Sequence, residues 1–111
     1  MEDTQAHIGV MVNHLMASMG GDKPAIYKTG LHANALLESL AEVIIGWLLL
    51  KHAEVALAAK VGAQGDDVAY YEGKIASARF FASHALPKAK LRREAAEQED
   101  GWLMEMADEA F

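Results

Sequence analysis

The chain has 111 residues, of which 52% are hydrophobic and 23% charged, with a formal net charge of −6. That is one domain's worth of chain with enough apolar content for a core, and its acidity excludes a nucleic-acid surface, which needs clustered lysine and arginine to meet phosphates. No cysteine is present, which removes disulfides, thiolate zinc sites and cysteine nucleophiles together.

The N-terminal "MEDTQAHIGV" carries acids where a signal peptide needs Lys or Arg, so a soluble, cytoplasmic domain is expected. Ile8, Met11, Val12, Leu15, Met16 and Met19 then recur at three- and four-residue spacing, the mark of one apolar helical stripe. With Thr4 as N-cap and Gly20-Gly21 as the stop, the spacing predicts a helix near residues 4–19. Its methionines read as packing rather than as an adaptable docking face.

"GGDKPAIYKTG" reads as a connector with one turn starting at Pro24, a residue suited to a first helical position. A second helix is expected from near His32 to near Lys60, on the order of 40 Å long. Leu36, Leu37, Leu40, Val43, Ile44, Trp47, Leu48 and Leu49 cover more than one of its faces, so it belongs in a bundle centre or a subunit interface. Its longest uninterrupted apolar run, Val43 to Leu50, is far short of the roughly 18 residues that span a bilayer, and no membrane partner is expected.

"VGAQGDD" breaks the pattern, with Asp66 or Asp67 placed to cap the next helix. This third helix, near residues 67–86, aligns Val68, Tyr71, Ile75, Ala78, Ala82 and Ala85, with Phe81 beside them. Pro87 ends or kinks it, because proline cannot donate to the carbonyl of Ser83 and crowds it. "KAKLRREAAEQED" reads as a charged, solvated continuation, and "GWLMEMADEAF" as a short closing helix around Trp102, Leu103, Met106 and Phe111. No stretch alternates with a period of two. The expected architecture is all-α: a single-domain antiparallel helical bundle over residues 1–111, with three main helices and a shorter C-terminal segment.

Chemistry is sparse. Thr4, Met11, Thr29, Leu49 and Phe81 stand three residues before the five histidines (His7, His14, His32, His52 and His84), so no Glu-x-x-His pair of the di-metal carboxylate type exists. His-Glu-x-x-His is absent too, and neither glycine cluster has phosphate-cradling spacing after a strand. Ser18, Ser39, Ser77 and Ser83 lack a nucleophile elbow. Arg79, set in a helix expected to be buried, reads as a partner of Glu42 or Glu38 or as a snorkelling arginine, in preference to an anion clamp. Trp47 and Trp102 read as core anchors. His84 has no carboxylate at helical spacing to orient it as a general base. No catalytic, cofactor-binding or metal-ligating residue is assigned.

Gly46-Trp47 in the second helix, then Tyr71, Lys74, Ala78, Arg79, Phe80 and Phe81 running to Leu86-Pro87, and finally "WLMEMADEAF", resemble the C-terminal helical domain appended to one branch of acyl-CoA dehydrogenases. The likeness covers about residues 30 to 111. It departs in the second helix, where Leu36-Leu37 and Glu42-Val43 stand in place of the family's tyrosine-leucine step and glycine. The resemblance implies a non-catalytic accessory domain, a fragment or stand-alone relative of an FAD-dependent dehydrogenase of fatty-acyl-CoA oxidation. The flavin and the catalytic glutamate would lie in other domains, and no cofactor would bind this chain. Partners would be those remaining domains or a second copy in a dimer. Two other readings stay open: an independent homodimeric interaction module, and a small-ligand binder using the bundle interior.

Overall fold

The computed structural model describes all of residues 1–111. It contains four α-helices and no strand: α1 (Glu2–Met19), α2 (Pro24–Lys60), α3 (Asp66–His84) and α4 (Lys88–Gln98), followed by two short 3-10 turns at Trp102–Glu105 and Asp108–Ala110. The all-α expectation stands, with corrections in detail.

Helix α1 starts at Glu2 with Met1 as N-cap, so Thr4 is not a cap. It lies inside the first turn with its side chain buried. The turn after α1 uses Gly21 at φ 106° rather than Gly20. Helix α2 begins at Pro24, not near His32, and runs for 37 residues without interruption. Proline has no N–H to leave orphaned in a first turn, and the cost of Gly30 inside the helix, about 1 kcal/mol, is too small to break it. Helix α3 has Gly65 (φ 61°) as N-cap and makes no side-chain cap bond, so Asp66 and Asp67 lie in its first turn, where their charge favours the helix N-terminus. It stops at His84, two residues earlier than expected. The "solvated continuation" is a separate helix, α4, with Ala89 and Ala96 buried.

The chain falls into two compact units. One comprises Met1–Ser39 and Ala89–Phe111, the other Leu40–Lys88, so α2 contributes to both. The first unit brings together α1, the start of α2, α4 and the 3-10 turns. Met11, Ala25, Ala89 and Ala96 are buried in it, and polar bonds join its elements. His14 Nε2 bonds the carbonyl of Ala96 at 3.0 Å, and His32 Nε2 meets Glu99 Oε2 at 3.0 Å. Arg92 reaches Glu38 at 3.1 Å and donates to the hydroxyl of the buried Ser39 at 3.3 Å. Arg93 donates to Asp3 and to Glu97, both at 2.8 Å. The turn after α4 is closed by Gly101 (φ 76°), whose N–H donates to Glu99, and a Cβ there would come 3.2 Å from Lys28 Cε.

The second unit is an antiparallel hairpin of α2 and α3. Glu42, Gly46, Leu49, Ala53, Ala56 and Lys60, spaced alternately by four and three, form the main line of its buried or half-buried α2 positions, with Val43 and Ala59 beside them, opposite Val68, Tyr71, Ile75, Ala78, Phe81 and Ala85 of α3. Ala82, expected on that stripe, is exposed. Direction is fixed at the two ends. Leu86 and Phe81 close over Gly46, and Lys60 pairs with Glu72 at 2.9 Å. A four-three alternation is the seam of two helices crossing at a shallow angle.

Candidate functional site

The most informative feature is which residues face outward. On α1, the buried or half-buried positions are Asp3, Thr4, His7, Val10, Met11, His14 and Ser18. The stripe expected to pack, Ile8, Val12, Leu15, Met16 and Met19, is exposed apart from Met11. On α2, Leu37, Ile44, Ile45, Trp47, Leu48, Leu50, Val55 and Leu57 are all exposed, while the buried positions are Ala25, Ser39 and Ala56. Apart from Met11, the fully buried positions of these two helices are small or polar, and most of their large apolar side chains lie outside.

The tryptophans share this inversion. Trp47 is 57% exposed and Trp102 59% exposed, so neither is a core anchor. Helix α3 has no buried residue. Arg79 is exposed, and Glu38, one of its expected partners, pairs with Arg92. His84 is exposed too, its ring stacked on Phe80 with centroids 4.2 Å apart and its Nδ1 donating to the Phe80 carbonyl at 3.1 Å. Ser77 and Ser83 donate to the carbonyls of Gly73 and Arg79 four residues back, and no base orients either hydroxyl. No group of three metal-ligating side chains converges.

Concavity is slight. A groove of about 260 Å³ between α2 and α3 is lined by His52, Val55, Tyr70 and Lys74, with the Lys74 ammonium 5.2 Å from the Tyr70 ring centre. It lies on the surface, not in the bundle interior that the alternative small-ligand reading invoked. By length and composition α2 is also apolar enough to cross a membrane, with mean hydropathy 1.6 over an 18-residue window that is 6% buried. Counting only uninterrupted apolar residues misses this.

Titration singles out the first unit. His7 is fully buried, and burial, then the neighbouring His32 and Arg92, hold its imidazole below the ordinary value against an opposing pull from Glu97. The hydrogen bond from His32, aided by the Gly101 N–H, lowers the Glu99 carboxyl. Hydrogen bonds to Glu97 and Asp3 raise Arg93, keeping it charged. Reading the sequence missed these groups because none belongs to a catalytic motif. The available signal was spacing: Thr4, His7, Met11 and His14 share a face as tightly as the apolar set does.

Two comparisons bear on identity. The family model described as "acetyl-CoA dehydrogenase C-terminal like" matches residues 1–107. A broad-specificity linear acyl-CoA dehydrogenase of Mycobacterium tuberculosis is 41% identical over 112 residues, a match that takes in 100% of this chain and 18% of the relative. The match therefore includes α1, which the sequence resemblance had left out.

Proposed function

The chain belongs to the acetyl-CoA dehydrogenase C-terminal-like family, and from that membership we propose that it is a non-catalytic accessory domain whose outward apolar faces pack against the flavin-bearing portion of an acyl-CoA dehydrogenase. One observation carries the reading: the inverted amphipathicity of α1 and α2, which leaves Ile8, Val12, Leu15, Ile44, Trp47 and Leu48 in water. A soluble protein rarely leaves a contiguous apolar patch larger than a few hundred Å² uncovered unless a partner covers it.

In this reading FAD and the base that removes the substrate proton sit in that other portion. The acyl-CoA oxidised is its substrate, and this chain contributes packing in a cytoplasmic enzyme. The whole chain acts as one accessory domain, and the covering surface is protein rather than lipid. A helix docked in protein can keep Glu42, Lys51 and Glu54 along its length, charges that a bilayer centre disfavours by several kcal/mol each.

Left alone, the same faces should pair with a second copy. Two helical hairpins meeting through α2 make a four-helix arrangement, and an interface of roughly 800 Å² per partner with two-fold symmetry is the common solution. Light scattering at micromolar concentration is expected to give a concentration-dependent mass above 12.0 kDa. A Trp47→Ser/Leu48→Ser double variant should shift the chain toward monomer without loss of helicity. Incubation with FAD and gel filtration should leave no bound flavin. A monomer mass at every concentration, together with failure to bind a co-expressed flavin-bearing portion of a dehydrogenase, would overturn the proposal.

A further inference from the structure

His7 is fully buried, and neither of its ring nitrogens has a hydrogen-bond partner. One helical turn before it, the buried Thr4 hydroxyl is unpartnered as well. Nothing in the packing role of the chain uses either group. An apolar residue of similar size at position 7 would avoid the desolvation cost of these unpaired nitrogens.

We propose that His7 is a pH-sensitive latch in the first unit: proton uptake on its ring loosens α1 from α4.

The geometry gives the reason. A neutral imidazole holds one N–H donor and one acceptor, whereas the imidazolium holds two donors and a full charge. In this pocket neither donor finds an acceptor, and the new charge lies near two basic groups, His32 of α2 and Arg92 of α4. Glu97 of α4 is the one acidic group acting on it, and both Glu97 oxygens already accept from Arg93 at 2.8 Å. Arg92 is in turn held by Glu38, and His32 by Glu99. Protonated His7 must therefore leave its site or draw in water, and either outcome parts α1 from its neighbours.

The other two histidines of this unit are partnered: His14 Nε2 donates to the Ala96 carbonyl and His32 Nε2 meets Glu99 Oε2, both at 3.0 Å. Of the three, His7 alone is buried with no partner on either ring nitrogen.

The direction for stability is set by linkage. The folded-state value of His7 lies below the ordinary 6.5, so the unfolded chain binds the proton first as pH falls. Stability from this site is complete above about pH 6.5. It is lost progressively below, with the unfolding equilibrium constant rising up to tenfold per pH unit until the folded-state value is reached.

The test is a ring-nitrogen NMR titration of the whole chain from pH 8 to 4.5, with amide protection factors measured across the same range. A short unstructured histidine peptide in the same sample serves as the reference. His7 is expected to stay neutral at pH values where that peptide has titrated. Protection in α1 should fall with pH while protection in α3 holds, and a His7→Phe variant should lose that pH dependence. Titration of His7 together with the reference peptide would overturn the proposal, as would a fall in protection shared equally by α3. Should the Phe variant not fold, the titration of the native ring decides alone.

Discussion

In the unit built from α1, the start of α2 and α4, the elements meet through Arg92 on Glu38 and Ser39, Arg93 on Asp3, and His32 on Glu99. In the hairpin of residues 40–88 they meet through Gly46, Ala53, Ala56 and Ala78 beside Leu49, Ile75 and Phe81. The helix α2 serves both, its early turns held by directional bonds and its later turns by close approach. Charged pairs specify register because they fail when displaced. Small residues let two helices come near enough for dispersion to act along the whole seam. Both solutions draw on only a few of the chain's large apolar side chains, Met11 in the first unit and Leu49, Ile75 and Phe81 in the second, which leaves many others outside.

The seam is the place to break that comparison most severely. A Cβ on Gly46 would already come 3.3 Å and 3.4 Å from the two methyls of Leu86 and 3.6 Å from Phe81. Gly46→Leu pushes four carbons into that space and is expected to cost about 3 kcal/mol, toward the upper end for overpacking. Urea unfolding should show a lowered midpoint, with amide protection collapsing in α3 before α4. Gly46→Ala is expected to be nearly neutral, since the Leu86 methyls can yield and alanine favours the helix. An unchanged midpoint for the leucine variant would mean that the hairpin is not packed through this position.

How far these contacts were legible beforehand differs between the two units. The hairpin was readable because the seam on α3 is periodic and its partners are close in sequence. Val68, Tyr71, Ile75 and Ala78 were placed correctly by spacing alone. The first unit was not readable, because α4 returns from far along the chain, Arg93 reaching back 90 residues to Asp3. "KAKLRREAAEQ" taken by itself is a hydrophilic helix, and nothing local reveals that two of its arginines are anchors. The apolar stripe of α1 was identified correctly as a stripe and assigned to the wrong side. Periodicity shows which residues share a face, but whether that face meets its own chain or another molecule depends on a partner outside the sequence.

The second perturbation acts on the polar unit. Arg92→Ala removes the guanidinium that donates to Ser39, whose hydroxyl has no access to solvent, and that pairs with Glu38. Losing two charge-assisted contacts around a buried hydroxyl is expected to cost about 2 kcal/mol. Protection should fall in α4 and α1 with little change in α3, the reverse of the Gly46→Leu pattern. Equal loss in all helices would show that the two units do not open separately, and the contrast between them would be one of composition only.

The finest comparison sets two short ion pairs against each other. Lys60–Glu72 of the hairpin spans 2.9 Å and His32–Glu99 of the first unit 3.0 Å, but their side chains are 38% and 57% exposed in the one and 15% and 19% in the other. Exposure, not length, should decide what each contributes. Water and salt screen the first, so Glu72→Gln is expected to change stability by a few tenths of a kcal/mol at most, with the effect fading in high salt. Glu99 has a second role, accepting the Gly101 N–H at 3.0 Å where the chain turns after α4. Glu99→Gln should therefore cost about 1 kcal/mol at neutral pH and keep most of that cost in salt. Because the Glu99 carboxyl is held below its ordinary 4.5, the stability it adds is complete above that pH and disappears as pH falls through its lower folded-state value. Wild type and Glu99→Gln should thus converge toward acid. Thermal melts at two salt concentrations and a series of pH values separate the cases, and equal salt sensitivity of the two variants would show that partial burial does not distinguish these pairs.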